Sequence, residues 1–81
     1  MRKPSDPNWE QSLRYTVRLR WSEEDGEFIA TCEEFPSLSF LHTDQWYALS
    51  GLRKLICDVL RDMRTAGETP PQPAIAPGGL P

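Results

Sequence analysis

Two periods of apolar and polar positions divide the chain. From Arg14 to Trp21 the alternation is strict, with Tyr15, Val17, Leu19 and Trp21 on one side and Arg14, Thr16, Arg18 and Arg20 on the other. A period of two is that of a half-buried strand, because successive side chains leave opposite faces of the pleat. Glu27 to Glu33 repeats it, placing Phe28, Ala30 and Cys32 on one face and Ile29, Thr31 and Glu33 on the other. Between the two runs, Asp25-Gly26 predicts a hairpin turn, since glycine takes the positive φ such a turn demands. Phe35-Pro36-Ser37 predicts a further turn, and Leu38 to Leu41 is long enough for one more short strand.

From Gln45 to about Ala66 the period changes. Residues placed at intervals of about 100° put Ala48, Leu49, Leu52, Leu55, Ile56, Val59, Leu60 and Met63 in one arc, with Lys54, Asp58, Arg61, Asp62 and Thr65 opposite. This predicts an amphipathic helix, for which Thr43 and Asp44 are two successive candidate N-caps. Asp58 stands at the right spacing to pair with Lys54 and Arg61, and Arg61 and Arg64 complement the negative end of the helix dipole. Gly67 is the expected residue just past the helix, and Pro70 prevents continuation. Ala74-Ile75-Ala76 is either a short fourth strand or the start of a frayed tail that runs on through Pro81. The fold class is α+β: a small antiparallel β-meander of three strands, with room for a fourth, covered on one face by one long α-helix.

Length and composition narrow the organisation. Eighty-one residues make one domain at most. The expected division is a flexible N-terminal arm over 1–13, the folded unit over 14–73, and the strand or Pro/Gly tail over 74–81. No stretch approaches the roughly 20 apolar residues of a membrane span, and no apolar core follows Met1 to Asp6 to make a signal peptide. A soluble cytoplasmic protein without a membrane partner is the expectation. Cys32 and Cys57 lie far apart in sequence with no CxxC and no neighbouring histidine, so no metal site is expected; buried, reduced thiols are the simpler account. No glycine-rich phosphate loop is present, and no cofactor is expected.

The order of these pieces resembles the HicB family of antitoxins. Glu24-Asp25-Gly26-Glu27 matches the family's acidic turn and Phe28-Ile29-Ala30 its aromatic-x-Ala strand. Phe35-Pro36 falls on its Leu-Pro, Thr43-Asp44 on its capping pair, Ala48-Leu49 on its Ala-Leu, and Gly67 to Pro73 close to its closing motif. The match covers about three quarters of the chain. Ser37 and His42 stand where the family usually has glycine, and Trp46-Tyr47 replace a Glu pair. If either glycine position needs positive φ, the substitution costs about 1 kcal/mol or the turn changes shape. The resemblance implies a HicB-like fold that binds and neutralises a HicA-like toxin, a small RNA-cleaving protein. Full-length members usually carry a DNA-binding module as well; nothing after Pro73 can supply one, so no direct nucleic-acid binding by this chain alone is expected.

The candidate chemistry is that of a binding protein. Seven acids, Glu23, Glu24, Asp25, Glu27, Glu33, Glu34 and Asp44, fall in a stretch without lysine or arginine. Two readings stay open: an acidic surface for a basic partner, or an ordinary solvated hairpin. His42 is the single histidine and is expected to be a loop residue, so no catalytic residue is assigned and the chain is not expected to be an enzyme. Arg14, Arg18 and Arg20 line one strand face without interleaved aromatics, and the net charge is −3, which argues against nucleic acid and for cross-strand ion pairs with Glu27 or Glu33. Trp46 and Tyr47 at the helix start are candidates for a dimer or toxin contact, or Trp46 with Phe40 extends the core. The candidate partner-binding residues are therefore Glu23, Glu24, Asp25, Glu27, Trp46 and Tyr47. A homodimer or higher homo-oligomer is expected from the open sheet edge. An orphan homo-oligomeric scaffold without a toxin is the alternative to the antitoxin reading.

Overall fold

A computed structural model describes residues 6–74. Its elements are α1 (Pro7–Ser12), β1 (Val17–Ser22), β2 (Glu27–Cys32), β3 (Ser39–His42) and α2 (Gln45–Ala66). The strands form an antiparallel sheet in the order β1-β2-β3, and α2 packs against one face of it. This is the expected α+β meander under one long helix. Residues 75 and 76 of the expected fourth strand lie outside the described residues.

The register follows from the alternation. Val17 faces Cys32, Leu19 faces Ala30 and Trp21 faces Phe28 across β1 and β2, while Ala30 faces Phe40 and Phe28 faces His42 across β2 and β3. All of these project toward α2. Arg18, Arg20, Ile29, Thr31, Ser39 and Leu41 project from the uncovered face. The β1–β2 turn is closed by Gly26 at φ 65°, whose N–H donates to the Ser22 carbonyl at 2.8 Å. Among the described residues no non-glycine residue has positive φ, so Ser37 and His42 carry no left-handed strain and this loop has no need of glycine at those positions.

Small residues beneath α2 let the layers approach. Ala48, Leu52, Ile56 and Leu60 are wholly buried against Ala30 and Cys32, which are 0% and 2% exposed. Burying each of the three large side chains contributes about 1.5–3 kcal/mol. Gly51 solves a local packing problem: a Cβ there would lie 2.3 Å from the Phe40 ring. Phe40 therefore lies flush on the helix backbone and extends the core, as one of the two sequence readings had it.

Both ends of α2 are fixed by local chemistry. Of the two cap candidates, Asp44 is the one used: its Oδ1 accepts the Trp46 N–H at 2.8 Å and the Tyr47 N–H at 3.2 Å. At the other end Gly67 is left-handed at φ 77°, and the Glu68 N–H returns to the Met63 carbonyl at 2.8 Å. That is a Schellman stop. Asp58 bridges Lys54 at 3.5 Å and Arg61 at 3.0 Å, as the spacing predicts.

Within the expected N-terminal arm, the described residues from Asp6 onward form a short helix. Asp6 accepts the Asn8 N–H at 3.0 Å, Pro7 opens the helix, and α1 runs to Ser12. A six-residue helix cannot hold itself, so its partners matter. Arg64 donates to Asn8 Oδ1 and, at 2.7 Å, to Gln11 Oε1, and Arg53 donates to the Ser12 carbonyl at 2.6 Å. Arg64 thus binds α1 rather than only complementing its own helix. β1 likewise begins at Val17 rather than Arg14, because Tyr15 turns into the core. It is 4% exposed, stands edge-on to Phe35 with ring centroids 5.6 Å apart, and donates its hydroxyl to the Pro71 carbonyl at 2.7 Å. Burial pushes its phenol pKa up.

Glu34 ties three segments together. Its carboxylate accepts the Thr16 N–H at 2.9 Å, the Cys32 thiol at 3.4 Å and the Ala74 N–H. Burial raises its pKa, but the backbone N–H groups of Ala74 and Thr16 outweigh that and hold it below the ordinary carboxylate value. A depressed carboxylate stabilises the fold above its unfolded pKa, and that contribution is lost as pH falls through the folded value.

Two measurements check this packing. Gly51→Ala is expected to destabilise by about 1–3 kcal/mol in urea denaturation, with part of the loss recovered by adding Phe40→Leu. Glu34→Gln is expected to cost about 1–3 kcal/mol at neutral pH, and the wild-type advantage over it should shrink on acidification below about pH 4.

Candidate functional site

One end of the molecule collects the predicted site residues. Because Phe28 pairs with His42, the β1–β2 turn lies beside the end of β3, and α2 begins there at Gln45. Glu23, Glu24, Asp25 and Glu27 of the turn therefore share this end with Trp46 and Tyr47. Trp46 is 70% and Tyr47 63% exposed, so Trp46 does not extend the core.

Trp21 joins them. The alternation places it on the inner face, but it is 46% exposed, resting edge-on against Phe28 at 5.0 Å with its indole N–H on Glu23 at 2.9 Å. The reason is position: Trp21, Phe28 and His42 form the outermost helix-facing row of the sheet, where α2 has only begun. A tryptophan in the last register row beside a turn was the available signal.

The seven acids have separate fates. Glu33 pairs with Arg18 across the strands at 3.3 Å, Glu34 is the internal clasp and Asp44 caps α2. Asp25 stiffens the turn by accepting the Ser22 hydroxyl at 2.9 Å, while that hydroxyl accepts the Asp25 N–H at 3.2 Å. Among the described residues, none of Glu23, Glu24, Asp25 and Glu27 is in a salt bridge. Glu23, Glu24 and Asp25 are exposed and Glu27 is half-buried. Of the three strand-face arginines only Arg18 has an acid partner among the described residues, so the expected cross-strand pairing holds for one of them.

A groove of about 510 Å³ runs over α2 from α1 to β3. Asp6 and Trp9 form one wall, Phe40, His42 and Tyr47 the other, over a floor that includes Ser50, Gly51 and Lys54. His42 closes β3: its Nδ1 accepts the Asp44 N–H at 2.9 Å, and its ring lies 5.0 Å from Tyr47. With Nδ1 so occupied, the neutral ring carries its proton on Nε2.

Cys32 and Cys57 are both buried and free. Burial pushes the Cys32 thiol pKa up, which keeps it protonated, and the Cys57 thiol lies 3.8 Å from the Ser12 hydroxyl. Among the described residues no group of three or more His, Cys, Asp and Glu could hold a metal ion, and no helix is long and apolar enough to cross a membrane. What this end can do is present aromatic surface within a negative field.

Compared with known proteins, the chain matches no family model, no curated protein and no solved structure. The site must therefore be read from its own geometry.

The exposed aromatics and the cap should separate cleanly in stability measurements. Trp46→Ala is expected to change the unfolding free energy by less than about 0.5 kcal/mol, whereas Asp44→Ala should cost about 1 kcal/mol, both by urea titration.

Proposed function

We propose that this chain is a non-enzymatic, HicB-like antitoxin domain that neutralises a HicA-like mRNA-cleaving toxin in the cytoplasm. The observation that carries the reading is the meeting of Glu23, Glu24, Asp25 and Glu27, all outside any salt bridge among the described residues, with exposed Trp21, Trp46 and Tyr47 at one end of the fold. Aromatic side chains supply binding energy once water is excluded, and uncompensated carboxylates steer a basic partner and reject acidic ones. An RNA-cleaving partner must itself present basic surface to its substrate. Covering that surface with an acidic one blocks the RNA without any chemistry by this chain. The order of meander, Asp44 cap, helix and Gly67 stop agrees with the family pattern that suggested this partner.

A second reading, an orphan homo-oligomeric scaffold without a toxin, is favoured by the outer edge of β3, which pairs with no strand among the described residues.

Co-expression with an adjacent reading frame encoding a small basic protein tests the first reading. The neighbour is expected to arrest growth alone and to be tolerated with this chain present. The triple variant Glu23→Lys, Glu24→Lys, Glu27→Lys should lose that protection while keeping its far-UV circular dichroism. A neighbour that is harmless alone, or toxicity that persists beside the wild-type chain, overturns the antitoxin reading; full protection by the triple variant moves the contact elsewhere.

A further inference from the structure

The groove over α2 has aromatic rings on both sides. Trp9 stands on the α1 wall; Phe40 and His42, two positions apart and so on one face of β3, stand on the other with Tyr47 beside them. The floor between them is low. Ser50 is small, and at Gly51 the Phe40 ring takes the space that a Cβ would fill, which seats that ring against the α2 backbone. At about 510 Å³ the groove lies within the size range of small-molecule sites, which are mostly apolar with a few polar groups that fix orientation.

Its charges balance and are already engaged within the chain. Asp58 accepts from Lys54 at 3.5 Å and from Arg61 at 3.0 Å, and Asp6 accepts the Asn8 N–H at 3.0 Å. Two carboxylates thus stand with two cations in the lining. An anionic ligand would have to draw Lys54 or Arg61 away from Asp58, and a cationic one would meet the same two side chains, so charge gains a ligand nothing here. Two donors are left over. His42 Nδ1 accepts the Asp44 N–H, which leaves the Nε2–H without an acceptor among the described residues, and the Tyr47 hydroxyl has no hydrogen-bond partner among them either.

We infer that this groove is a binding site for an uncharged, planar aromatic molecule of one or two rings that carries a hydrogen-bond acceptor such as an amide carbonyl. Aromatic rings favour tilted, offset or edge-on neighbours with centroids about 4.5–7 Å apart, and gain from them beyond the area they bury. The His42–Tyr47 pair, tilted by 34° at 5.0 Å, already has that spacing and offers the ligand a ring surface beside the two donors. The acceptor then sets which way round the ligand lies. This inference concerns the chain by itself, goes beyond the toxin-binding reading and stands without it.

A second hollow gives an internal comparison. It is of similar size, about 500 Å³, but Gln11, Arg14, Gln72 and Pro73 line it, and no aromatic ring does so among the described residues. Volume alone would fill both hollows. Rings and donors select the one over α2.

Titration of the isotope-labelled full chain with benzamide, followed by nuclear magnetic resonance, tests the site. Saturable shifts are expected at the Trp9 indole and at the Ser50 and Gly51 amides, with Kd in roughly the millimolar range for so small a ligand, while the Gln72 amide stays in place. Three control ligands each change one feature: benzoate adds charge, cyclohexanecarboxamide removes the aromatic ring, and fluorobenzene removes the carbonyl acceptor. Each is expected to bind about threefold to tenfold more weakly than benzamide. Ser50→Leu adds bulk to the floor at an exposed helix position and should abolish the shifts with the circular dichroism spectrum unchanged. No saturable shift, an equal response at Gln72, any control binding as tightly as benzamide, or full binding by Ser50→Leu overturns the proposal. If Ser50→Leu fails to fold, the control ligands on the wild-type chain decide it alone. Toxin protection does not enter these readouts, so the two proposals fail separately.

Discussion

Close contact between α2 and β2 is the constraint on which the other positions depend. It is possible because Ala30 and Cys32 lie beneath Ala48, Leu52, Ile56 and Leu60, and each of these six residues is at most 2% exposed. Interiors of this kind are packed to crystal density, so the helix has one position over the sheet rather than a range. The core has few large members. Losing one large core side chain typically costs about 2–5 kcal/mol against a total stability of about 5–15 kcal/mol. The Phe40–Gly51 contact, the level of His42 beside Tyr47 and the exposure of Trp21 at the outermost row all follow from where α2 rests.

Around this apolar centre the periphery is held by polar contacts of another kind. Arg53 and Arg64 reach from α2 to α1, Tyr15 holds the Pro71 carbonyl, and Glu34 gathers Thr16, Cys32 and Ala74. Hydrogen bonds to charged groups contribute about 1.5–3 kcal/mol each, comparable with one core side chain. Of these, the Glu34 contacts also depend on charge state, because its carboxylate can be protonated. The segments gathered at Glu34 therefore answer to acid in a way the apolar core does not.

Legibility in the sequence tracked the range of the interactions. The hairpin at Gly26, the sheet faces and both ends of α2 rest on residues a few positions apart, and pattern alone located them. The helix bounds were readable because Asp44 and Gly67 act locally. α1 is too short and too poor in apolar residues to show a period, although Asp6-Pro7, a cap followed by proline, was a usable sign. Glu34 was not readable at all, since its backbone partners lie 18 and 40 residues away. For the candidate site, the seven acids looked equivalent in sequence, and their separate fates became visible only when partners distant in the chain came into place. Trp21 shows the limit of alternation: it gives the face of a strand residue, but how far a covering helix extends over that face is set elsewhere.

The contacts of α1 also carry information about time. A chain leaves the ribosome from its N-terminal side, so Pro7–Ser12 emerges before α2 does. Its partners, Arg53 and Arg64, lie 41 to 56 residues downstream of the groups they hold. Six residues are too few to stay helical unaided. α1 thus precedes α2 in the chain yet depends on it, and until α2 has been synthesised and has closed on the sheet, Pro7–Ser12 lacks the arginines that hold it helical.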